Sequence, residues 1–400
     1  MSAAPAAQSP APPERGRGEA LIVAAVALAV RAAAALLSPR VVADVLRYHK
    51  LAAHVLDVSW DPYLAPRLYP YPPVWVWAEA GAEWVSRHAG VPFALAMKAP
   101  LVAADAVLAF LLARWGAREG GAARGAGWAY ALHPVALLVV GFHGQFDGLA
   151  LLALALSVRW LDEGHEDRSA IALSAGIGLK SFPILILPFA VLFVRGGAAA
   201  RLRYVALAVL PVAVILVPFA WADLHALGRE LFAYSGVADF GWIGAWRSAS
   251  ALATGRLARG EAERWGPQVA ASKAAFVAAA ALVFTAVFSG RLRWGIAQSA
   301  LGVVLAFEVF YGALSAQYLL WPVPLALMRG ERLVPVHALV ATAALVGFYL
   351  FLAPGVLTPA DAPLMSAAAA ERLWAIGTVA LWLTSAAWLA DLARRGRRAA

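Results

Sequence analysis

Residues 38–73 read SPRVVADVLRYHKLAAHVLDVSWDPYLAPRLYPYPP and follow directly on the first apolar run of the chain. They carry acidic, basic, histidine and aromatic side chains, with prolines at the joints, in a protein that is 62% hydrophobic. Apolar residues recur at helical spacing around Asp44 and Tyr48, which lie one turn apart, and this predicts an amphipathic helix. We therefore predict that residues 39–93 form a folded loop outside the membrane, after the first crossing.

The composition predicts an integral membrane protein. Only 14% of the 400 residues are charged, against about a quarter in soluble domains, and the mean hydropathy is +0.71. The chain has no cysteine, which excludes disulfides and thiolate metal sites. The net charge of +9 comes from short arginine clusters between apolar runs, a pattern that favours cytoplasmic loops and argues against a nucleic-acid partner.

The apolar segments predict an all-α polytopic bundle of about 12 transmembrane helices, since a crossing needs about 20 residues. Residues 1–18, rich in proline and alanine, predict a disordered cytoplasmic tail, and residues 331–400 predict C-terminal helices with a basic tail. The predicted crossings are residues 19–38, 94–115, 124–142, 146–161, 168–179, 182–195, 203–221, 268–288, 295–312, 315–328, 333–353 and 371–391.

The arginine clusters predict the orientation of the bundle, because cytoplasmic loops are enriched in positive charge. Under this assignment all clusters fall on one side, which we expect to be cytoplasmic. The assignment requires residues 71–88 to lie along the membrane interface, where Trp75, Trp77 and Trp84 suit the headgroup zone; a crossing there would invert the orientation downstream. The clusters lie at residues 14–17, 114–124, 195–203, 291–293, 329–332 and 394–398.

Asp44 is the first candidate for chemistry on the opposite, non-cytoplasmic side. A carboxylate just outside the bilayer can accept a proton from an incoming hydroxyl. The alternative is a surface ion pair with Arg47, which would contribute well under about 1 kcal/mol. Tyr48 lies on the same helical face and is a candidate for substrate binding.

The turn at residues 141–148, GFHGQFDG, is the second candidate, because it concentrates hydrogen-bonding groups between two crossings. Helix capping would explain Asp147. It does not explain His143 and Gln145 together, so we expect all three side chains to bind substrate.

Lys180 lies between two apolar runs, where a charge is costly and is either functional or paired. Its ammonium group would suit the phosphate of a lipid-linked substrate; the alternative is a side chain that snorkels to the interface. Glu308 lies at a depth that permits a Lys180–Glu308 pair, with a structural or a catalytic role. Arg31 and Asp105 lie at compatible depths in the first two crossings, which predicts a buried structural pair.

Gln317 and Tyr318 lie in a further polar turn on the non-cytoplasmic side, and both are candidates for substrate binding. Arg247 is a third, from residues 222–266, a glycine- and tryptophan-rich segment that could act as a lid or as a cradle for the acceptor. No phosphate-binding loop, dinucleotide fingerprint, HExxH or DxD motif is present, so the sequence does not support a soluble nucleotide site or a metal site.

Taken in order, several of these motifs resemble the GT-C superfamily of polytopic glycosyltransferases. The resemblance covers about residues 20 to 330 and is closest to bacterial polyprenol-phosphate-mannose-dependent mannosyltransferases of the DUF2029 type. The sequence is also similar to the glucosyltransferases that extend dolichol-linked oligosaccharides. The motifs are Asp44 with Tyr48, YPP at residues 71–73, HGQFD at 143–147, KSFP at 180–183 and SAQYLLWPVP at 315–324.

The resemblance implies a GT-C-like bundle with an amphipathic first periplasmic loop and a catalytic module at residues 19–330. It implies inverting transfer of a hexose, with mannose favoured, from a polyprenyl phosphate to a glycan, lipid or protein acceptor outside the cytoplasm. Asp44 occupies the position of the base, although relatives carry adjacent acids and here only Asp57 and Asp61 could substitute for it. Ala316 stands where relatives often have proline.

The inventory of side chains agrees with this chemistry. Phosphate leaves as a stable anion, so one base with cationic and polar groups suffices, and neither a cofactor nor a metal is required. A nucleotide sugar cannot cross the bilayer unaided, so a donor used in the periplasm at the bacterial inner membrane should be carried by a lipid. The alternative functions are a transporter or flippase that uses the same residues as a pathway, and an assembly subunit without catalysis.

Overall fold

The structure is a computed structural model that describes residues 15–38, 41–65, 69–233, 236–255, 265–359 and 362–398. These residues contain no strand, apart from an isolated bridge between Phe240 and Leu314, which confirms the all-α class. The α-helices are Arg15–Leu37 (α1), Ala43–Asp57 (α2), Val74–Ala89 (α3), Phe93–Glu119 (α4), Ala126–Ala131 (α5), Pro134–Ala136 (α6), Asp147–Asp162 (α7), Glu166–Leu179 (α8), Leu187–Phe193 (α9), Ala198–Ala233 (α10), Gly241–Thr254 (α11), Gly266–Phe288 (α12), Ile296–Phe310 (α13), Pro322–Met328 (α14), Val334–Leu352 (α15) and Ala367–Arg398 (α16).

The number of crossings differs from the prediction. In the described part of the chain, seven helices are long and apolar enough to span a membrane, judged by length and composition. Three shorter apolar helical runs cover residues 182–193, 296–310 and 316–328, so the predicted count of about twelve is not confirmed. Helix α1 begins at Arg15, inside the predicted tail of residues 1–18, the first 14 of which lie outside the described residues.

The turns that carry the arginine clusters meet at one end of the bundle, as predicted, and we call this the arginine end. Short connections between the helices bring the clusters into direct contact with one another or with neighbouring turns. The contacts join Gly16 with Ala117, Glu119 with Arg159, Gly164 with Arg195, Ala122 with Gly330, Glu331 with Arg395, and Arg293 with Gly396.

A buried ion pair joins α1 to α4, which confirms the predicted pairing of Arg31 with Asp105. The Tyr130 hydroxyl donates to the other Asp105 oxygen at 2.5 Å. The guanidinium also donates to the carbonyls of Ala131 and Tyr130, at 2.5 and 2.9 Å. The Tyr130 carbonyl is available because Pro134, four residues later, has no N–H to donate to it. The network therefore satisfies a charge pair that would otherwise be costly between transmembrane helices.

The first loop folds as α2, a 3-10 turn at Pro62–Leu64 and α3, and α2 buries one face while exposing the other. This confirms the predicted amphipathic loop. Helix α3 is not among the seven candidate spans. Trp77 and Trp84 are half exposed, as the headgroup zone requires, but the expectation for Trp75 is wrong. Trp75 is buried and stacks on Phe146, with ring centroids 5.2 Å apart, because α3 packs against the bundle.

The segment predicted as a long outer loop at residues 222–266 is largely helical where it is described. Helix α10 continues to Ala233 across a break at Asp223, whose backbone is extended (φ −158°, ψ 93°) and whose side chain accepts a hydrogen bond from the Ala226 N–H at 2.9 Å. Helix α11 follows, so Arg247 lies on a helix, and residues 256–264 lie outside the described part.

Candidate active site

Asp44, His143 and Gln145, which the sequence nominated from two separate motifs, converge in one cluster. Asp44 Oδ2 accepts a hydrogen bond from Gln145 Nε2 at 2.6 Å and lies 3.2 Å from His143 Nε2. His143 and Gln145 are buried, whereas the Asp44 side chain is 34% exposed. Its second oxygen, Oδ1, lies 3.9 Å from the guanidinium of Arg47. The carboxylate is therefore held through Oδ2, and its side chain is only partly buried.

Two tyrosines orient the partners of Asp44. The Tyr48 hydroxyl donates to Gln145 Oε1 at 3.0 Å, so the amide nitrogen of Gln145 must face the carboxylate. The Tyr349 hydroxyl lies 2.8 Å from His143 Nδ1. His143 Nε2 also lies 3.0 Å from Gln145 Nε2, so Asp44, Gln145 and Tyr349 together fix the position of the imidazole ring. The sequence analysis missed Tyr349; the only signal was a hydroxyl inside an apolar helix, where it needs a partner.

The cluster lies at the end of the bundle opposite the arginine end, and we call this the site end. Tyr349 is in the last turn of α15, and α15 starts next to Glu331 at the arginine end. Lys98 is near the start of α4 and contacts the His143 turn, whereas Glu119, the last residue of α4, is at the arginine end. The polar turns therefore share one end of the bundle, as predicted.

The surroundings of the Asp44 carboxyl lower its pKa and so favour the charged form. Burial raises its pKa, but the hydrogen bond and charge of His143, together with the charges of Arg47 and Lys180, outweigh burial and lower the pKa below its usual value. The group is therefore ionised at neutral pH, which is the state that a general base needs.

A local distortion of the backbone presents His143 and Gln145 on the same side. The helix widens to a π-helix at Leu137–His143, and the N–H groups of Gly144 and Gln145 then both donate to the carbonyl of Val139, at 3.1 and 3.0 Å. Gly144 has φ +83°, and a Cβ there would lie 2.7 Å from the Lys98 Cε. Only glycine suits this position, since the left-handed backbone and the close lysine both exclude a side chain.

Lys180 forms a closed, buried ion pair with Asp147. The ammonium donates to Asp147 Oδ2 at 2.5 Å, Trp321 Nε1 donates to Asp147 Oδ1 at 2.6 Å, and the two charged side chains are 3% and 0% exposed. Asp147 therefore serves as an ion-pair partner and not as a simple helix cap. Aromatic rings cover the ammonium, with centroids at 4.9, 4.6 and 5.9 Å from Nζ for Tyr71, Phe146 and Tyr318.

The predicted pair between Lys180 and Glu308 is wrong. Lys180 has an extended backbone (φ −152°, ψ 137°) at the break after α8, and its ammonium group is bonded to Asp147. Glu308 instead accepts a hydrogen bond from the Ser385 hydroxyl at 2.7 Å and lies 3.7 Å from His337 Nε2.

Arg247 is buried and donates to the carbonyl of Ala238, which fixes the connection between α10 and α11. The next residue, Asp239, is an acid that the sequence analysis missed. The pKa of Asp239 is raised to about 7, chiefly by burial; the charge of Arg247 lowers the pKa and the charge of Asp44 raises it. The interaction with Asp44 brings this connection and Arg247 into the surroundings of the site.

The other candidates fall outside the Asp44 cluster. Tyr318 covers Lys180, and no hydrogen bond within the described residues joins Gln317 to Asp44 or Lys180. Asp57 forms two 2.7 Å bonds with Arg87, and Asp61 accepts from the Tyr63 N–H at 2.8 Å. Asp44 is thus the one acid of the described first loop that joins the cluster.

The comparisons with known proteins bear on the fold. No family model matches the sequence, and no curated protein matches it. Among solved structures, the chain is similar to ArnT from Cupriavidus metallidurans, crystallised with undecaprenyl phosphate. The two are 14% identical with a TM-score of 0.50, over 96% of this chain and 78% of ArnT. At this identity the likeness shows the fold alone, an all-helical bundle similar to that of ArnT.

Proposed function

We propose that this protein is an inverting glycosyltransferase of the membrane that moves a hexose from a polyprenyl-phosphate donor to an acceptor outside the cytoplasm. The observation that carries the proposal is the ionised carboxylate of Asp44, fixed on one oxygen and 34% exposed at the site end. The fold shared with ArnT, which was crystallised with undecaprenyl phosphate, supports a polyprenyl-linked donor.

In this mechanism Asp44 accepts the proton of the acceptor hydroxyl while the acceptor oxygen attacks the anomeric carbon. The bond between that carbon and the phosphate oxygen breaks, and polyprenyl phosphate leaves as a stable anion without a general acid. A single displacement inverts the configuration. His143 and Gln145 hold the carboxylate in position, and the Tyr349 hydroxyl holds the imidazole ring beside Asp44.

The structure refines the proposed roles of the cations. Lys180 is neutralised by Asp147, so a phosphate can replace that contact only if the pair opens. Arg47 is the cation nearest to Asp44 that is exposed to solvent, and we assign it to the approach of the donor phosphate. Among the described residues no group of three or more histidines and carboxylates could hold a metal, and the metal-free scheme stays a prediction.

The orientation belongs to the same proposal. The arginine end should face the cytoplasm by the positive-inside rule, so the site end should face the periplasm of a bacterial inner membrane. Mannose is the first sugar to test, because the sequence motifs resemble mannosyltransferases that use polyprenyl phosphate. The DUF2029-type assignment and the acceptor, whether glycan, lipid or protein, stay predictions.

The test is Asp44→Asn, with Asp57→Asn as a matched control from the same loop. Purified variants receive polyprenyl-phosphate-mannose, and release of polyprenyl phosphate is followed by chromatography. We expect Asp44→Asn to lose about 10²- to 10⁴-fold in turnover, the usual effect of removing a general base. Asp57→Asn should retain activity, since Asp57 only pairs with Arg87. Equal activity of Asp44→Asn and the native protein would remove Asp44 as the base.

A transporter or flippase is the second candidate, and a buried polar group between transmembrane helices favours it. His133 and His337 are buried, neither ring nitrogen of either has a hydrogen-bond partner among the described residues, and Glu308 lies beside His337. Ionisable residues at such depth often line substrate or proton pathways. Movement of a lipid-linked sugar across proteoliposomes without chemical change, unaffected by Asp44→Asn, would favour this alternative.

A further inference from the structure

A groove lies at the arginine end, between the end of α12 and the end of α16. It encloses about 670 Å³ and is lined by Leu282, Thr285, Ala286, Arg291, Leu292 and Arg397. This groove is distinct from the Asp44 cluster. Residues 334–349 of α15 separate the two ends of the bundle by about 22 Å, at 1.5 Å per residue.

Hydrogen bonds join the two elements that line the groove, the turn after α12 and the end of α16. The N–H of Arg293 donates to the carbonyl of Gly396 at 3.2 Å, and Trp294 Nε1 donates to the carbonyl of Leu392 at 3.3 Å. The Leu292 N–H donates a hydrogen bond to the carbonyl of Ala286 at 2.9 Å. The turn after α12 is therefore held against α16, and the groove is part of the fold.

The charge at the mouth of the groove is unbalanced. Within the described residues neither Arg291 nor Arg397 forms an ion pair, and both side chains are exposed. Their neighbour Arg395 differs, because it pairs with Glu331 and Asp391. Two guanidinium groups without a carboxylate partner favour an anion, and a phosphate matches their planar donors.

The groove is also lined by apolar side chains and continues onto an exposed apolar surface of α12. Leu282 lines the groove and is 71% exposed, and Phe288, on the same helix, is also 71% exposed. Helix α12 is one of the seven candidate spans. A ligand that satisfies both the apolar floor and the arginine rim must combine an acyl chain with a negatively charged head.

We propose that this groove binds an anionic phospholipid of the leaflet at the arginine end. The phosphodiester lies between the two guanidinium groups, and an acyl chain lies along Leu282 and Ala286. A net negative headgroup is preferred, because a zwitterionic lipid brings its own cation to the arginines. This lipid is not a substrate of the proposed transfer reaction, so its binding can be tested whether or not that reaction occurs.

The test is native mass spectrometry of the purified full-length protein with phosphatidylglycerol, phosphatidylcholine or inorganic phosphate. We expect retention of phosphatidylglycerol over phosphatidylcholine. The double variant Arg291→Ala/Arg397→Ala should lower phosphatidylglycerol retention about 25-fold, from about fivefold for each basic side chain. The matched control Arg332→Ala/Arg394→Ala, from exposed arginines outside the groove, should retain it.

A second variant separates a groove from general attraction to positive charge. Ala286→Trp fills the apolar floor and leaves both arginines in place, so it should also reduce retention of phosphatidylglycerol. Full retention in Ala286→Trp, equal retention of the two lipids, or displacement of phosphatidylglycerol by an equal concentration of inorganic phosphate would each overturn the proposal. Elution as a single species on size exclusion confirms that each variant is folded.

Discussion

Substitutions at the buried Lys180–Asp147 pair test whether the two charges compensate each other in the folded protein. Lys180→Met removes the cation and leaves a buried carboxylate whose remaining donor is Trp321. Asp147→Asn removes the anion but leaves an amide oxygen that can still accept from Lys180, and the aromatic rings still cover the ammonium. The double variant Lys180→Met/Asp147→Asn leaves no charge at all.

The magnitude follows from the distance and the burial. At 2.5 Å the attraction is about 7 kcal/mol for an effective dielectric constant of about 20, and desolvation of two buried charges offsets a large part of it. Removing one partner of such a pair costs about 3–5 kcal/mol, because the other charge is left uncompensated. We expect Lys180→Met near the upper bound and Asp147→Asn near the lower. The double variant should lose less than Lys180→Met alone.

The measurement is the free energy of unfolding of the purified protein in mixed micelles, obtained by denaturant titration of the four proteins of the cycle. The control pair is Arg203 with Asp167, whose side chains are 68% and 50% exposed. Asp167→Asn should cost less than about 1 kcal/mol. Additive losses at Lys180 and Asp147, with the double variant the least stable of the four, would refute the argument that the two charges compensate each other.

Three further variants test other contacts. Tyr349→Phe removes the hydroxyl that bonds His143 Nδ1 and holds the imidazole in place, so turnover should fall about threefold to tenfold, the value of one hydrogen bond, while the KM for the donor stays unchanged. Asp239→Asn tests pH dependence: the native pKa of about 7 is above the ordinary 3.8, so the native state loses stability as pH rises from about 4 to 7. The variant should therefore gain in thermal midpoint over the native protein at pH 8 and not at pH 4. Gly144→Ala should destabilise the protein more than Gly90→Ala in the same titrations. Both glycines have positive φ, which costs about 1–2 kcal/mol for alanine, but only at Gly144 would the added methyl group also meet a neighbouring side chain.

Sequence reasoning predicted correctly those contacts that depend on how deep a residue lies in an apolar run. Arg31 and Asp105 lie at matching depths in two long apolar runs, where two unpaired charges would be costly, and the two side chains pair between α1 and α4. The HGQFD turn was recognised because several polar groups in one short apolar connection have few structural explanations. The shared position of the arginine clusters follows for the same reason, since apolar lengths fix which turns lie at the same end.

Sequence reasoning failed where a contact depends on the rotation of a helix or on segments that are distant in the chain. The partner of Lys180 depends on the break after α8, and depth alone could not distinguish Asp147 from Glu308. Tyr349 lies 206 residues from His143 in sequence, and Asp239 is in a connection with no motif of its own. The register of α15 against the His143 turn is a property of packing, and only the fold reveals it.

The π-helix at Leu137–His143 makes the number of residues in this stretch important for the site. Pro134 anchors the start of this run, and the left-handed Gly144 ends it, so the number of residues between them determines which way the imidazole points. Removing one residue there would restore a regular α-helix and rotate His143 by about 100° away from the carboxylate. This short run must keep its length to the residue.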